Sequence, residues 1–315
     1  MSLISLLKKA GANGFGFSST AEEVTEGLDL TGKKVLITGV NSGLGLETAR
    51  VLSKRGATVI GLARTLGKAE SICLQMNDSY YPLACELSEP QSVLECVETL
   101  KNANIQIDAL ICNAGIMALP KLQQKYGIEL QFLTNHIGHF ILVNGLAGSL
   151  NDYGRVIVVS SAAHKMFSYS NGIQFTNFSG SHGYDSHKAY GHSKLANLLF
   201  SNELSRRFDS TNFAANAVHP GVIHTNLVRH YRLLVRYGLR TVEKIFLKTV
   251  QQGAATQCYV GVHSDLDGVS GNYFSDCNPS ETSEFGQDQD MATRLWDVSE
   301  DMASKLINGG TWVDK

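Results

Sequence analysis

Short apolar runs alternate with longer helical patterns along most of this chain, and that alternation is what most restricts its fold. The runs typical of strands lie at 33–38, 57–63, 81–87, 108–112, 155–159, 214–218 and 271–274. The helical patterns lie between and after them, at 47–55, 90–101, 128–146, 189–207 and 291–307. Strands that are apolar on both faces, separated by amphipathic helices, indicate a parallel sheet covered by helices on both sides. We therefore predict an α/β fold built on one doubly wound sheet.

The composition supports a folded globular chain and excludes several classes of protein. Hydrophobic residues make up 43% and charged residues 18% of the 315 positions, which supplies a large core and excludes a disordered or fibrous chain. The net charge of −2 argues against nucleic-acid binding. No run approaches the roughly 18 apolar residues that cross a bilayer, and the six cysteines are scattered without a C-x-x-C pair. We expect reduced, mostly buried thiols, a cytoplasmic location and no metal site.

The first strand ends in a glycine-rich turn, T-G-V-N-S-G-L-G at 38–45. Glycines there let the backbone approach a pyrophosphate, and the N-terminus of the following helix offers free N–H groups and a positive dipole end. Tight turns also need glycines, so the strand–turn–helix context is what favours a dinucleotide site. The expected contacts in this turn are Gly39, Asn41, Ser42, Gly43, Leu44 and Gly45.

The end of the second strand indicates which dinucleotide is bound. An acidic residue at that place receives the ribose hydroxyls of NAD, whereas a nearby arginine accommodates the 2′-phosphate of NADP. Here the strand ends in L-A-R, without a carboxylate, and the arginine is Arg64. A guanidinium pairs well with a phosphate and stacks on adenine, although a solvated loop arginine is the alternative. We therefore predict NADP(H) in preference to NAD(H).

A tyrosine and a lysine four positions apart, Tyr190 and Lys194, indicate proton-transfer chemistry. This spacing places both on one helix face, where the ammonium would stabilise the phenolate and lower the tyrosine pKa toward working pH. The spacing alone is common, and Tyr184 and Lys188 repeat it. We prefer Tyr190 because Asp185 has the character of a helix cap, which leaves Tyr184 outside the helix, while Tyr190 leads into an apolar stretch.

Six motifs in order resemble those of the short-chain dehydrogenase/reductase family, most closely its retinol-dehydrogenase-like branch. They are T-G-x-x-x-G-x-G at 38–45, N-A-G at 113–115, N-H-I-G-H-F at 135–140, V-S-S at 159–161, Y-G-H-S-K at 190–194 and H-P-G-V at 219–222. The resemblance covers about 28–306. It implies a Rossmann-type fold, with a single domain over 29–310 after an N-terminal extension at 1–28.

The resemblance also implies a catalytic tetrad of Asn135, Ser161, Tyr190 and Lys194. Tyr190 would be the acid in carbonyl reduction or the base in alcohol oxidation, and Lys194 would lower its pKa and bind the nicotinamide ribose. Ser161, rather than Ser160, would hold the substrate oxygen. Asn135 would kink the long helix and hold a water that links Lys194 to solvent. From the residues alone, Ser161 as a strand-end cap and Asn135 as a satisfied buried amide stay open.

Further coenzyme contacts follow from the same resemblance. Asn113, Ala114 and Gly115 would lie against the adenosine half, and Pro220, Gly221, Val222 and Thr225 would cover the nicotinamide. The family often has Asp-Leu at the end of the third strand for adenine, and this chain has Glu86 and Leu87. The longer carboxylate is expected to do the same work, with the backbone and Leu87 as the alternative contact.

Segments outside the shared framework are expected to set specificity. The extension contains G-A-N-G-F-G-F at 11–17 and is expected to be a flexible strap, not a membrane anchor. A basic helical lid is predicted at 227–250, a stretch that contains six lysines and arginines and a single acidic residue, Glu243. It is interpreted as a solvated helix pair that closes the cleft, or as an interfacial helix in peripheral contact with anionic lipid. Aromatic residues at 165–187 form either a substrate wall or core packing.

The combined prediction is an NADP(H)-dependent oxidoreductase that acts without metal on the carbonyl or alcohol carbon of an apolar aldehyde or ketone, retinoid- or steroid-like. Its expected partners are that small substrate and no nucleic acid, with monomer and homodimer both open. Two alternatives are a dinucleotide-binding regulatory protein of the same fold and a reductase of the protochlorophyllide type. The intact tetrad argues against the first, and no strong feature of a pigment site supports the second.

Overall fold

Parallel pairing of short buried strands builds the central sheet in the computed structural model, which describes residues 10–208, 213–223 and 247–314. The strands are β1 (Lys34–Thr38), β2 (Thr58–Ala63), β3 (Tyr81–Ala84), β4 (Ile107–Cys112), β5 (Gln124–Lys125), β6 (Ile128–Glu129), β7 (Leu150–Val159), β8 (Ala214–His219), β9 (Tyr273–Ser275) and β10 (Asn278–Pro279). Eight of them form one sheet in the order β10-β9-β8-β7-β4-β1-β2-β3. All its pairs are parallel except β10 with β9, and β5 and β6 form a separate hairpin.

Helices cover both faces of this sheet. They are α1 (Gly43–Lys54), α2 (Leu66–Glu70), α3 (Pro90–Asn102), α4 (Leu130–Phe132, a π-helical turn at Leu133–Ile137, and Gly138–Leu146), α5 (Ala163–Met166), α6 (Ser186–Arg207), α7 (Val250–Val262) and α8 (Gln289–Ile307). Short 3₁₀ turns lie at Glu23–Thr25, Cys73–Gln75, Ala147–Ser149, Ser264–Leu266 and Glu284–Gln287. The predicted doubly wound, Rossmann-type fold is confirmed.

Strands buried on both faces divide the interior into two cores. Along β1, Leu36 belongs to the core under α3, α4, α6 and α8, whereas Val35 and Ile37 belong to the core under α1 and α7. All three side chains are 0% exposed. This alternation is what an apolar run without polar positions produces in a sheet that is covered on both sides.

The N-terminal extension is packed, so the expectation of a flexible strap is wrong for residues 10–28. Phe17, Ala21 and Val24 are 8%, 0% and 1% exposed. Ala21 and Val24 join the core beside α7, and Ala21 N donates a hydrogen bond to Gln251 O at 2.9 Å. The physical reason is that these apolar side chains cover part of α7 that water would otherwise contact.

Most of the predicted basic lid, 227–250, lies outside the described residues, as does Thr225. Its last basic residue, Lys248, is described and is 1% exposed. A solvated or lipid-facing position is therefore wrong for Lys248, because its ammonium pairs with Asp276 at 2.6 Å. Among the helices of the described residues, none has the length and apolar character needed to cross a membrane.

The aromatic segment at 165–187 contributes mainly to the core. Phe178 is 1% exposed, and its ring lies 4.9 Å from that of Phe132 and 6.2 Å from that of Trp312. Phe175 packs against the same core. Of the two predicted interpretations, core packing therefore holds for Phe175 and Phe178. The six cysteines are all free, and only Cys73 is exposed, as the sequence predicts.

Candidate active site

The glycine turn between β1 and α1 brings the backbone into a shape that fits a pyrophosphate. Gly39 and Gly43 have φ angles of +75° and +61°, in the left-handed region that favours glycine. A Cβ on Gly45 would lie 2.2 Å from Gly39 O and 2.5 Å from Asn113 Nδ2. Within the described chain, the Ser42 side chain does not cap α1, so N–H groups of the first turn are available to an anion.

Thr38, the last residue of β1, joins the glycine turn to the end of β4. Its Oγ1 accepts hydrogen bonds from Asn113 N and Ala114 N, each at 2.9 Å. Asn113 Nδ2 donates in return to Thr38 O at 2.8 Å. Because parallel strands end at the same edge of the sheet, these bonds fix the two turns that the coenzyme is predicted to contact.

His139 connects Thr38 to the distorted part of α4. Its Nδ1 donates to Asn135 O at 2.9 Å, and its Nε2 lies 2.9 Å from Thr38 Oγ1. A carbonyl oxygen only accepts, so Nδ1 carries the proton, and in the neutral ring Nε2 must accept from the Thr38 hydroxyl. Burial lowers the pKa of His139 to about 4. The ring is therefore neutral near pH 7, in one defined tautomer.

Tyr190, Ser161 and Lys194 meet beside the end of β7. Lys194 Nζ lies 5.6 Å from the centre of the Tyr190 ring, and the Ser161 hydroxyl lies close enough to Tyr190 to act on the pKa of its phenol. Lys194 is 3% exposed and donates from Nζ to Val159 O at 2.8 Å. Ser160 instead donates from Oγ to Lys194 O at 2.7 Å. The structure thus brings Ser161, and not Ser160, to the tyrosine.

Burial dominates the acid–base character of this group. It raises the pKa of Tyr190 to about 12, with the hydrogen bond to Ser161 acting in the opposite direction. It also lowers the pKa of Lys194 to about 8. The predicted lowering of the Tyr190 pKa by Lys194 is therefore wrong in this geometry, because loss of water around the phenol sets the direction of the shift.

The competing pair, Tyr184 and Lys188, lies across the start of α6. Asp185 is the N-cap, and its side chain accepts hydrogen bonds from the backbone N–H groups of His187 and Lys188. Tyr184 therefore precedes the helix, as predicted. Its hydroxyl donates to Leu119 O at 2.7 Å, which makes it a support for the segment that follows β4.

Asn135 lies in the π-helical turn of α4 and is 0% exposed, so the predicted distortion of the helix is present. Its Oδ1 accepts from Ile116 N at 2.8 Å, and its Nδ2 donates to Ile116 O and Ser193 Oγ, each at 2.9 Å. A Cβ on Gly115 would lie 3.1 Å from Asn135 Oδ1 and 3.6 Å from Lys194 Nζ. Asn135 thus holds the segment after β4 against α6.

The remaining predicted contacts lie around the same edge of the sheet. The exposed ones are Asn41, Ser42, Arg64, Gly115 and Val222. The half-buried ones are Gly43, Leu44, Asn113, Ala114 and Gly221, and the buried ones are Leu87 and Pro220. Glu86 Oε1 accepts from Ser88 N at 3.2 Å and from Ser88 Oγ at 3.0 Å. That carboxylate therefore shapes the turn before α3.

A family model described as short chain dehydrogenase matches residues 33–233. The chain belongs to the short-chain dehydrogenase family. The crystal structure of an uncharacterised protein from Mycobacterium paratuberculosis has the same fold, with a TM-score of 0.74 and 32% identity over 95% of this chain and 100% of that one. This family of oxidoreductases binds a nicotinamide dinucleotide, and the glycine turn described above fits one.

Curated relatives assign the chain to the retinol-dehydrogenase-like branch of the short-chain dehydrogenases. Short-chain dehydrogenase TIC 32 B, chloroplastic, from Brassica napus is 43% identical over 95% of this chain and 97% of its own length. Retinol dehydrogenase 14 from Mus musculus is 38% identical over 87% of each chain. WW domain-containing oxidoreductase from Homo sapiens is 37% identical over 92% of this chain and 72% of its own length.

Sequence reasoning missed several residues that shape the site. Thr38 and His139 lie inside quoted motifs, but no role was predicted for either. Gln131 Oε1 accepts from Ala118 N at 2.7 Å, and Gln131 Nε2 donates to the Tyr184 hydroxyl at 3.1 Å. A polar residue in an otherwise apolar helical run was the available signal for Gln131, and its partners became visible only with the fold.

Proposed function

We propose that this short-chain dehydrogenase is an NADP(H)-dependent oxidoreductase for the carbonyl or alcohol carbon of an apolar substrate. The observation that carries the proposal is the buried ammonium of Lys194, 5.6 Å from the centre of the Tyr190 ring, with Ser161 close enough to act on the pKa of the phenol. When bound, the nicotinamide supplies or accepts the hydride. The glycine turn would hold the pyrophosphate, 113–115 and Leu87 the adenosine, and 220–222 with Thr225 the nicotinamide.

The protein's own residues would hold the oxygen and move the proton. Ser161 donates a hydrogen bond to the substrate oxygen and holds it beside Tyr190. A pKa of about 12 keeps the Tyr190 phenol protonated at neutral pH, which suits its use as the acid that protonates a carbonyl oxygen. Lys194 binds the ribose hydroxyls, and Asn135 holds the water through which the proton is replaced.

Replacing Tyr190 with phenylalanine tests the catalytic assignment. Tyr190→Phe should lower turnover by about 10²- to 10⁴-fold, since it removes the acid, while the Kd for NADPH stays within about twofold. Tyr184→Phe is the matched control, because it removes a hydroxyl that bonds Leu119 O outside the catalytic group. Equal losses in both variants, or normal turnover of Tyr190→Phe, would contradict the assignment.

Arg64 supports the preference for NADP(H), since it is exposed at the end of β2 with no carboxylate beside it in 62–64. Arg64→Asp should raise the KM for NADPH and lower that for NADH, because a carboxylate repels the 2′-phosphate and accepts ribose hydroxyls. Lys101→Asp makes a similar charge change at the far end of α3 and should leave both values unchanged. An unaltered ratio of the two KM values in Arg64→Asp would remove NADP(H) from the proposal.

The substrate class rests on the segment after β4 and on the names of the relatives. Ile116, Met117 and Leu119 are half-buried beside Asn135 and the start of α6, which offers an apolar surface to the substrate. Retinol dehydrogenase 14 supports a retinoid-like molecule. A panel of aliphatic aldehydes, retinal, steroids and quinones, followed by NADPH absorbance, tests this. Turnover restricted to charged or sugar carbonyls would refute an apolar substrate.

The cellular compartment, the contact with lipid and the oligomeric state are also matters of proposal. Six free cysteines support a reducing compartment such as the cytoplasm. Peripheral contact with anionic lipid through the basic residues of 227–250 other than Lys248 is proposed from the sequence. Flotation with phosphatidylserine liposomes tests that contact, and recovery of the protein only in the unbound fraction would refute it. Size-exclusion chromatography with light scattering distinguishes a homodimer from a monomer.

A further inference from the structure

Beneath the turn at 220–223, where the nicotinamide is proposed to lie, the structure contains a buried ion pair that no predicted role explains. Lys248 Nζ lies 2.6 Å from Asp276 Oδ1, with side-chain exposures of 1% and 18%. The same ammonium lies 5.2 Å from the centre of the Phe17 ring, which is itself 8% exposed. Buried lysines are rare unless they are paired, and Lys248 has both a carboxylate and an aromatic ring as partners.

Lys248 supports the turn through both its backbone and its side chain. Lys248 N donates to Val222 O at 2.8 Å, and Ile223 pairs with Lys248 in an isolated parallel bridge. The side chain lies against Gly221, where φ is +92° and an added Cβ would lie 2.6 Å from Lys248 Cδ. The conformation of the turn is therefore determined in part by where the Lys248 stem lies.

Asp276 is held toward Lys248 by the two-residue turn between β9 and β10. Asp276 and Cys277 have φ angles of +53° and +61°, as in the type I′ turns that commonly join the strands of a hairpin. Cys277 N donates to Thr256 Oγ1 at 3.2 Å, and Asn278 Nδ2 donates to Asp276 O at 2.7 Å. These bonds from α7 and from the turn itself hold the carboxylate in place.

The N-terminal segment also binds the turn between β9 and β10. Asn13 Nδ2 donates to Cys277 O at 2.9 Å, and Asn278 Nδ2 donates to Phe15 O at 3.0 Å. Phe17 follows directly and covers the ammonium of Lys248. A buried ion pair often gives no more stability than apolar residues of the same volume, so positioning is what this pair adds.

We propose that Lys248 is a positioning residue for the coenzyme-covering turn 220–223, held by Asp276 and by Phe17 of the N-terminal segment. The inference rests on the proposed function, because the turn matters only if a dinucleotide binds there. It makes the ring of Phe17 a distant but integral part of the coenzyme site. A substitution that displaces the Lys248 side chain should weaken coenzyme binding and leave the arrangement of residues around Tyr190 unchanged.

Two aromatic variants of the N-terminal segment separate positioning from general packing. Phe17→Leu keeps an apolar side chain but removes the ring from Lys248. Phe15→Leu is the matched control, because the Phe15 ring packs on Tyr259 at 5.5 Å and His263 at 6.0 Å. Phe17→Leu should raise the Kd for NADPH in a fluorescence titration by about three- to tenfold. Phe15→Leu should leave that Kd within about twofold, even where its Tm falls as much as that of Phe17→Leu.

Lys248→Met, tested in the full chain, supplies a second and more direct change. It should raise the KM for NADPH while kcat at saturating coenzyme stays within about twofold, a division that a merely structural loss would not produce. Unchanged coenzyme affinity in Phe17→Leu and Lys248→Met, with NADPH bound normally by the unmodified chain, would overturn this inference and leave the proposed function standing. Absence of NADPH and NADH binding by the unmodified chain would overturn both.

Discussion

Acid should destabilise this protein by charging histidines that the fold keeps neutral. His136, His139 and His192 are at most 6% exposed, and burial lowers their pKa values to about 3, about 4 and about 4. An unfolded histidine has a pKa of about 6.5. Below that pH the unfolded chain binds more protons than the folded one, so the free energy of unfolding falls as pH falls. The decrease begins near pH 6.5 and levels off below the folded pKa.

His192 offers the sharpest test of this reasoning. Its Nε2 accepts a hydrogen bond from Gln174 N at 3.0 Å, and its ring stacks on Phe132 with 5.0 Å between centres. His192→Gln keeps an acceptor near Nε2 and removes the titrating group. Between pH 7.5 and pH 5.0, one histidine with a folded pKa near 4 lowers the free energy of unfolding by about 2 kcal/mol.

Urea unfolding followed by tryptophan fluorescence at pH 7.5, 6.0 and 5.0 measures that difference. His192→Gln will be less stable at pH 7.5 because stacking is lost, but its deficit relative to wild type should shrink by about 2 kcal/mol at pH 5.0. His182→Gln is the control, since His182 is exposed and water surrounds its ring in both states. Stability curves of His192→Gln and wild type that stay parallel across this range would refute the reasoning.

Three further changes follow from contacts of the site. Gly45→Ala should abolish NADPH binding in a fluorescence titration, because its Cβ would lie 2.2 Å from Gly39 O. Asp185→Ala removes the N-cap of α6 and should lower the free energy of unfolding in urea by about 1 kcal/mol. Thr38→Val leaves two backbone N–H groups and His139 Nε2 without their partner, and should lower the same quantity by about 2–4 kcal/mol.

Matched variants check two of these three expectations. Gly67→Ala, where an added Cβ has nothing within 4 Å, should bind NADPH as wild type does. Thr38→Ser keeps the hydroxyl and should retain most of the stability lost in Thr38→Val. NADPH binding by Gly45→Ala at wild-type affinity, or urea midpoints unchanged in Asp185→Ala and Thr38→Val, would contradict the contacts on which they rest.

The sheet was predictable because its strands are apolar on both faces, and that signal is local in the sequence. The sequence did not reveal α7, since Val250–Val262 is rich in alanine, glycine and glutamine and nine of its residues are buried without one apolar stripe. A capping box of Thr249 and Gln252 marks its start and was the overlooked signal. The hairpin of β5 and β6 has strands of two residues each, too short for an alternating pattern.

The candidate site was predictable where a motif carries its chemistry, and not where the chemistry depends on distant partners. Tyr190, Lys194 and Ser161 follow from motif and spacing. The tautomer of His139 depends on Thr38, 101 positions away in the sequence, and the burial of Lys248 depends on Asp276 and Phe17. No local pattern encodes such pairs, because strand order and loop packing bring them together. The pKa of Tyr190 was predicted in the wrong direction because burial is equally invisible in the sequence.

The attachments of the N-terminal segment also have a consequence for synthesis. Asn13, Phe15 and Ser18 bind partners that lie 234–264 positions later in the chain. At a translation rate of about 5–20 residues per second, those partners emerge tens of seconds after the segment that needs them. Until then Phe17 has no ammonium to cover and the turn at 220–223 is not yet made. Residues 13–18 are therefore synthesised long before their partners and reach their final place late, and full coenzyme affinity should appear only when that late step is complete.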